Sequence, residues 1–334
     1  MPASFLVTGG AWFIGTHLVE AMLQRGDSVT VHDNQTTVRL SNLDAVGDHP
    51  SFRFVQASIL DEPAVNDAVH QTDAVIHLAA AVGVKLIVDQ PLRSFLTNIR
   101  GTEIVLDACH RFRRPILIAS TSEIYGKNNS DGLTETSDRI LGAPSVARWS
   151  YSTSKAADEV LAYAYFKERQ LPIVIGRFFN TVGPRQTAAY GMVLPTLVGQ
   201  ALRGEPLSVH GDGLQSRCFC HVDDTVDAIL RLQDTPAAIG EVFNVGRAEE
   251  ITIVDLAKEI IRRTGSSSTI EFVPYEIAYE SGFEDMRRRV PDTTKLTEYT
   301  GWRSTRSLDQ ILEETIAHAP AHMLVQSMSP GADV

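Results

Sequence analysis

Tyr151 and Lys155 stand four residues apart in the stretch Tyr151-Ser-Thr-Ser-Lys155. On a helix that spacing puts both side chains on one face. An ammonium beside a phenol favours the phenolate and lowers its pKa, giving a base able to take a proton from an alcohol near neutral pH. Alone, the spacing is commonplace on solvated helices. It gains meaning from the turn between Thr8 and Gly15, Thr-Gly-Gly-Ala-Trp-Phe-Ile-Gly. There Gly9 permits a tight bend and Gly15 permits close helix–strand packing. The helix that follows would turn its free N–H groups and positive dipole end toward a pyrophosphate. Asp33 follows about twenty residues later, where a carboxylate accepts hydrogen bonds from ribose hydroxyls and repels a 2′-phosphate. Together these imply a bound NAD rather than NADP.

Trp12 departs from this pattern. It stands at the middle position of Gly-x-x-Gly-x-x-Gly, which is ordinarily small so that the backbone can approach the pyrophosphate. The indole is expected to leave the loop, shift the cofactor or loosen it, and so to reduce NAD affinity without abolishing it.

Alternating elements must position these groups. Short apolar strands are predicted at Ser4–Thr8, Ser28–His32 (stopping at Asp33), Phe52–Gln56, Ala74–Leu78, Ile116–Ala119 and Ile173–Phe178. Ile14, Leu18 and Met22 mark one helix face that Gly26 can end. Further helices are predicted over Asn98–Cys109 and Tyr151–Arg169. Successive β-α-β units with apolar strands imply a doubly wound parallel sheet covered on both faces. After Asn180, Gly and Pro become frequent and elements shorten, as expected of a smaller substrate-binding region. The expected division is a cofactor domain over 1–179, to which 222–248 return, a substrate-binding region over 180–221 and 249–319, and a loose tail over 320–334.

Bulk properties bound the partners. The 334 residues are 43% hydrophobic, enough for a substantial core, and the formal net charge of −11 gives no general attraction for nucleic acid. No apolar run is long enough to span a bilayer. The chain opens directly on a strand, leaving no room for a signal peptide. Cys109, Cys218 and Cys220 make no disulfide framework. A soluble, cytoplasmic protein is expected. Cys218-Phe-Cys220-His221 lacks a matching ligand pair elsewhere, so it reads as a strand and no metal is expected.

The chain resembles the extended short-chain dehydrogenase/reductase family, whose members modify nucleotide sugars. The resemblance covers roughly residues 4–315 and rests on several motifs. These are Thr8–Gly15, His77-Leu-Ala-Ala80, Ser120-Thr-Ser-Glu-Ile-Tyr-Gly126, Tyr151-x-x-x-Lys155, Arg177-Phe-Phe-Asn-Thr-Val-Gly-Pro-Arg185, Gly211-Asp-Gly-Leu-Gln-Ser-Arg217 and Arg287-Arg-Arg-Val-Pro-Asp292. It implies a Rossmann-type fold with a smaller C-terminal substrate-binding region, and a homodimer built from the helices near Asn98–Cys109 and Tyr151–Arg169. The apolar Val160, Leu161, Ala164 and Tyr165 would serve either that contact or the core.

The resemblance also implies roles. Tyr151 would be the base at the sugar 4-hydroxyl, Lys155 would hold the nicotinamide ribose and tune Tyr151, and Thr121 would bond the same hydroxyl. Gly9, Trp12, Phe13, Ile14, Gly15, Asp33, Asn34, Leu78, Ala79, Ala80, Asn98, Ser120 and Phe178 would line the cofactor. Ser58 and Ile59 fall at the adenine-contacting pair, although Ser58 replaces the common Asp. Asn180, Arg185 and Arg217 would hold the diphosphate and nucleoside, with His210 against the base and Val193, Ser122 and Lys85 also near the substrate.

The shared chemistry the family implies is transient oxidation at sugar C4. The 4-keto sugar then returns as a 4-epimer, loses water across C5 and C6, or, if C6 is a carboxylate, loses CO2. Thr121-Ser122-Glu123 resembles decarboxylases acting on UDP-glucuronate, and many dehydratases carry Asp where Ser122 stands. Arg148-Trp-Ser-Tyr151 is similar to the approach to the catalytic Tyr in one decarboxylase branch, and Arg289-Val-Pro-Asp292 to a run supplying a catalytic arginine there. Decarboxylation of UDP-glucuronate is the favoured expectation. UDP-hexose or UDP-uronate 4-epimerisation, NDP-hexose 4,6-dehydration and a non-catalytic nucleotide-sugar sensor are the alternatives.

Overall fold

A computed structural model describes residues 2–35, 40–188, 191–278 and 284–322. Its centre is a seven-stranded parallel sheet built from β1 (Ser4–Thr8), β2 (Ser28–Asp33), β3 (Phe52–Gln56), β4 (Ala74–His77), β5 (Ile116–Thr121), β6 (Ile173–Phe178) and β11 (Val242–Val245). The order is β11-β6-β5-β4-β1-β2-β3, with all pairs parallel.

Side-chain alternation shows why both faces are covered. In β1, Phe5 and Val7 enter one core cluster while Leu6 enters another. Ala74 and Ile76 join the first, and Val75 joins the second. The first is closed by α1 (Phe13–Gln24) and α7 (Val222–Gln233). The second is closed by α2 (Glu62–His70), α4 (Pro91–Phe112) and α5 (Arg148–Arg169). A short helix, α3 (Val84–Asp89), precedes α4. The order in which strands are added reverses between β1 and β4, so the carboxyl ends of those two strands flank the crevice where ligands bind in such sheets.

Most of the remaining elements form a lobe with its own core: α6 (Val193–Leu202), α8 (Ile253–Thr264), α9 (Tyr275–Ala278) and α11 (Leu308–His322), with strand pairs β7 (Thr181–Val182) with β10 (Cys220–His221), β9 (Ser216–Cys218) with β12 (Glu250–Thr252), and β8 (Leu207–His210) with β13 (Ile270–Val273). Helix α10 (Thr294–Thr300) packs instead on β11 of the sheet, with Leu296 in the first cluster. Leu194, Leu197, Val209, Phe219, Leu256, Ile260 and Ile311 pack together there.

Several boundaries differ from the sequence reading: β4 ends at His77, β5 runs on to Thr121 and α4 to Phe112. Helix α4 begins seven residues before Asn98, because Pro91 opens it at a position where proline's missing N–H has no helical partner to lose. Helix α5 begins at Arg148 rather than Tyr151. The tail expected from residue 320 is helical through His322, and the rest lies outside the described residues. The Cys218–His221 stretch lies on β9 and β10, and no group of His, Cys, Asp or Glu able to hold a metal occurs among the described residues. Nor is any described helix long and apolar enough to cross a membrane.

Candidate active site

Backbone sterics build the cofactor end. Gly9 follows β1 at φ 70°, and a Cβ there would lie 2.8 Å from the backbone of Ala79. A Cβ on Gly15 would meet the Gly9 carbonyl and come within 2.6 Å of Gly10 Cα. Both positions therefore need glycine. The Thr8 hydroxyl ties the turn to β4, accepting from the Ala79 N–H (3.3 Å) and meeting His77 Nδ1 at 2.7 Å. His77 Nε2 reaches Thr102 at 3.1 Å, and burial pushes this histidine down to about 3, so it stays neutral. Asp33 ends β2 almost wholly buried and accepts from the N–H groups of Ala11 (3.2 Å) and Gln35 (2.8 Å). Burial raises its pKa against those two hydrogen bonds. Asn34 beside it is exposed.

Trp12 is extended at the start of α1 and packs against the core cluster that holds Phe13. The sequence left open that the indole would project from the loop. It turns inward instead, and its N–H is buried with no acceptor among the described residues. Ile14 packs on the same cluster, as do Leu78 and Phe178. Ile59 is buried against Gly101, and Ser58 Oγ accepts from the Leu60 N–H at 3.2 Å.

Charged side chains build the second part of the site. Thr121 ends β5, and its hydroxyl accepts from the Glu123 N–H (3.2 Å), capping a single tight turn over Ser122–Tyr125. Thr121 also hydrogen-bonds the Tyr151 phenol. Arg148, Tyr151 and Lys155 are spaced three and four apart, so they share one face of α5.

The expected lowering of the Tyr151 pKa is overturned. Burial raises it, and the charges of Glu123 and Asp158 raise it further, against Thr121 and Arg148. Burial is the main reason, and Lys155, itself buried, is paired with Asp158 at 2.8 Å, so its charge is answered by that carboxylate instead of the phenol. The phenol is therefore protonated at rest.

Around it lie three arginines. Both terminal nitrogens of Arg148 donate to the Glu123 carboxylate, one of them at 2.9 Å. Burial alone would raise the Glu123 pKa, but Arg148 and Arg289 hold it below the ordinary value, so it is ionised. Arg289 donates to Ser122 Oγ (3.2 Å) and Asn180 Oδ1 (3.1 Å) and lies 3.5 Å from Glu123. Burial, with Arg217 nearby, lowers its pKa to about 10. Arg217 donates to Asp285 at 3.1 and 3.2 Å, and the Tyr275 hydroxyl donates to the same carboxylate at 2.9 Å. Three guanidiniums thus face two carboxylates. Arg148 was not singled out as a site residue from the sequence, although its place three residues before Tyr151 was a usable signal.

Not every expected residue joins. Arg185 is clamped by Glu20 of α1 at 2.6 and 2.9 Å, so it stands with the cofactor half instead of beside Arg217. The Ser120 hydroxyl does not face the cofactor crevice but donates to Glu159 (2.5 Å), which also holds Arg177 in a buried network. Asn98 lies inside α4, exchanges hydrogen bonds with the Ala81 backbone at 2.7 and 3.3 Å, and donates to Ser154 at 3.2 Å. It braces the stretch after Ala80 against α5. His210 ends β8 half-buried, with its pKa lowered by burial against Asp285. Val193 opens α6, and its side chain packs on the lobe core. Lys85 falls on α3, and its side chain lies outside those described.

With this geometry in place, comparison with known proteins is informative. The family described as GDP-mannose 4,6 dehydratase matches residues 6–315. A UDP-N-acetyl-alpha-D-glucosaminuronate decarboxylase from Bacillus cytotoxicus is 40% identical over 93% of this chain and 96% of its own length. UDP-glucuronic acid decarboxylase 2 from Arabidopsis thaliana is 34% identical over 91% of this chain, which spans 65% of that protein. The crystal structure of UDP-glucuronic acid 4-epimerase from Bacillus cereus, in complex with UDP-glucuronic acid and NAD, superposes with a TM-score of 0.86. It is 29% identical, over 95% of this chain and 99% of that one.

Proposed function

The chain belongs to the extended short-chain dehydrogenase/reductase family, and we propose that within it the protein decarboxylates a UDP-linked hexuronate. Enzymes of this family are NAD-dependent and act on nucleotide sugars. The glycine turn, the start of α1 and Asp33 fit the dinucleotide, since each glycine sits where a Cβ would collide and the acid closes the neighbouring strand.

One observation carries the reading of the reaction. Arg148, Arg217 and Arg289 gather around Glu123 beside Tyr151, an excess of buried positive charge suited to an anionic sugar. A neutral hexose would leave that charge uncompensated.

NAD, when bound, supplies the hydride acceptor at C4 and returns the hydride at the end, so no net oxidation results. Tyr151 takes the hydroxyl proton, with Thr121 bonded to the phenol. Burial, Glu123 and Asp158 oppose the phenolate, and positive charge brought beside Tyr151 would favour it. Once C4 is a ketone, the C6 carboxylate is β to a carbonyl. The C5–C6 bond electrons pass into that ketone as CO2 leaves. Arg289 pairs with the carboxylate before cleavage, a role that its buried guanidinium between Ser122, Asn180 and Glu123 supports. Glu123 is ionised and orients its neighbours, and the enolate left across C4 and C5 takes its proton at C5 from water.

Incubation of the purified protein with NAD and UDP-glucuronate, or its 2-acetamido counterpart, tests this by chromatography and mass spectrometry. The expected product is a UDP-pentose lighter by one CO2. An isomer of unchanged mass would instead establish 4-epimerisation. Binding without conversion would leave a sensor.

A homodimer through α4 and α5 is part of the proposal. Leu92 and Leu96 on α4 are 72% and 53% exposed, and Val160 on α5 is 67% exposed. Val160 and Ala164, four apart, face outward, while Leu161 and Tyr165 pack against the core. Such apolar exposure along two neighbouring helices supports burial against a second copy.

A further inference from the structure

Charge bookkeeping in the pocket separates the three arginines. Arg217 is answered by Asp285. Arg148, almost wholly buried, meets Glu123 with both terminal nitrogens of its fork. Arg289 is equally buried, yet its hydrogen bonds go to the neutral oxygens of Ser122 and Asn180. Its Nε is buried with no acceptor among the described residues. Glu123 stands 3.5 Å from Arg289, close enough to neutralise it were its charge not already taken up by Arg148.

We propose that Arg148 sets the pocket's preference for a charged uronate over a neutral hexose, by engaging Glu123 so that the charge of Arg289 is left for the substrate carboxylate. This rests on the uronate reading above and goes beyond it, because it assigns specificity to a positioning residue on α5 that need not touch the reacting atoms. Without Arg148, the Glu123 carboxylate would turn to Arg289 and form a neutral pair. A uronate would then enter a pocket with no net attraction for it, and a hexose would be penalised less.

The groups facing Glu123 are Arg148 and Tyr151 from α5, and Arg289 and Asp285 from the segment before α10. Arg148 supplies the largest influence holding Glu123 ionised, while burial and Asp285 act the other way. Removing it therefore moves the Glu123 titration upward. As the pH falls through that raised value, Glu123 becomes neutral and the charge of Arg289 is again uncompensated.

The test is equilibrium binding of UDP, UDP-glucose and UDP-glucuronate to the NAD-loaded protein, in the wild type and in Arg148→Gln. The wild type should prefer the uronate over the hexose. In Arg148→Gln that preference should fall about tenfold, with UDP affinity unchanged. In the variant alone, lowering the pH should restore the preference. Equal weakening of all three ligands, or an unchanged preference, would overturn the proposal. If Arg148→Gln fails to fold, Arg148→Lys decides. It keeps the charge and loses the fork, so the preference should survive while turnover drops, and loss of the preference would contradict the charge account. Wild-type protein that prefers the uronate yet releases no CO2 counts against decarboxylation only. CO2 release together with a preference unmoved in Arg148→Gln counts against the role of Arg148 only.

Discussion

The cofactor end and the reaction pocket both lie at the carboxyl ends of the central strands, yet different forces hold them. At the cofactor end, Gly9 and Gly15 are fixed by collisions that any side chain would suffer, and Asp33 by two backbone N–H groups. These are short-range constraints, set by nearby backbone. In the reaction pocket, side chains far apart in sequence meet as ions: Glu123 with Arg148 and Arg289, and Arg217 with Asp285. Removing one partner there leaves a buried charge unpaired, which typically costs about 3–5 kcal/mol. The difference teaches that cofactor binding and reaction choice are separable properties of this chain, one steric and one electrostatic.

The largest expected effect tests that separation directly. Tyr151→Phe should lower turnover by roughly 10²–10⁴-fold, the usual contribution of a positioned acid–base group, while leaving NAD affinity unchanged in a titration. Weaker NAD binding of similar size would show that the two regions are not independent.

A smaller effect concerns stability against pH on the cofactor side. His77, on the cofactor side, is held near 3 by burial, against an ordinary 6.5. A depressed histidine pKa means that the unfolded chain binds the extra proton first. Stability present above about 6.5 should therefore be lost progressively as the pH falls toward 3. Glu123 also has a lowered pKa, but its contribution is lost only below its ordinary 4.5. His77→Asn should flatten the stability curve between pH 6.5 and 4.5, followed by chemical denaturation at each pH. An unaltered slope would place the acid sensitivity elsewhere.

The smallest effect concerns Trp12. Its indole packs on the core with an N–H that has no acceptor among the described residues, so the packing gain is partly offset by about 1–3 kcal/mol. Trp12→Gly should cost about 2 kcal/mol of stability, less than a fully buried indole would. It should also tighten NAD binding by relieving the crowded turn. Unchanged NAD affinity would show that the inward rotation of the indole already removes the obstruction.

Much of the cofactor half was legible in the sequence because its signals are local. Ser4–Thr8, Phe52–Gln56 and Ile173–Phe178 are strands at the expected bounds, since each apolar run is closed by a turn residue or a change of pattern. The pattern around Asn98 predicts a helix start there, whereas Pro91 opens α4 seven residues earlier. The pocket was read less completely. Tyr151, Glu123 and Arg289 could be named from motifs, but burial of the phenol beside Glu123 and Asp158, the latter paired with Lys155, reverses the expected effect on it. Pairings across the chain, such as Arg185 with Glu20 and Arg217 with Asp285, carry no local signal at all. They exist only once the sheet has brought α1 and the lobe to the crevice.

The central claim is that this pocket removes the carboxyl carbon of a UDP-linked uronate. UDP-glucuronate with a heavy-carbon label at C6 tests it most directly, with NAD present and both the released gas and the nucleotide pool followed by mass spectrometry. The account predicts that the label appears as CO2 in step with an unlabelled UDP-pentose, with no lasting build-up of reduced cofactor. Label retained in a UDP-sugar of unchanged mass would contradict it.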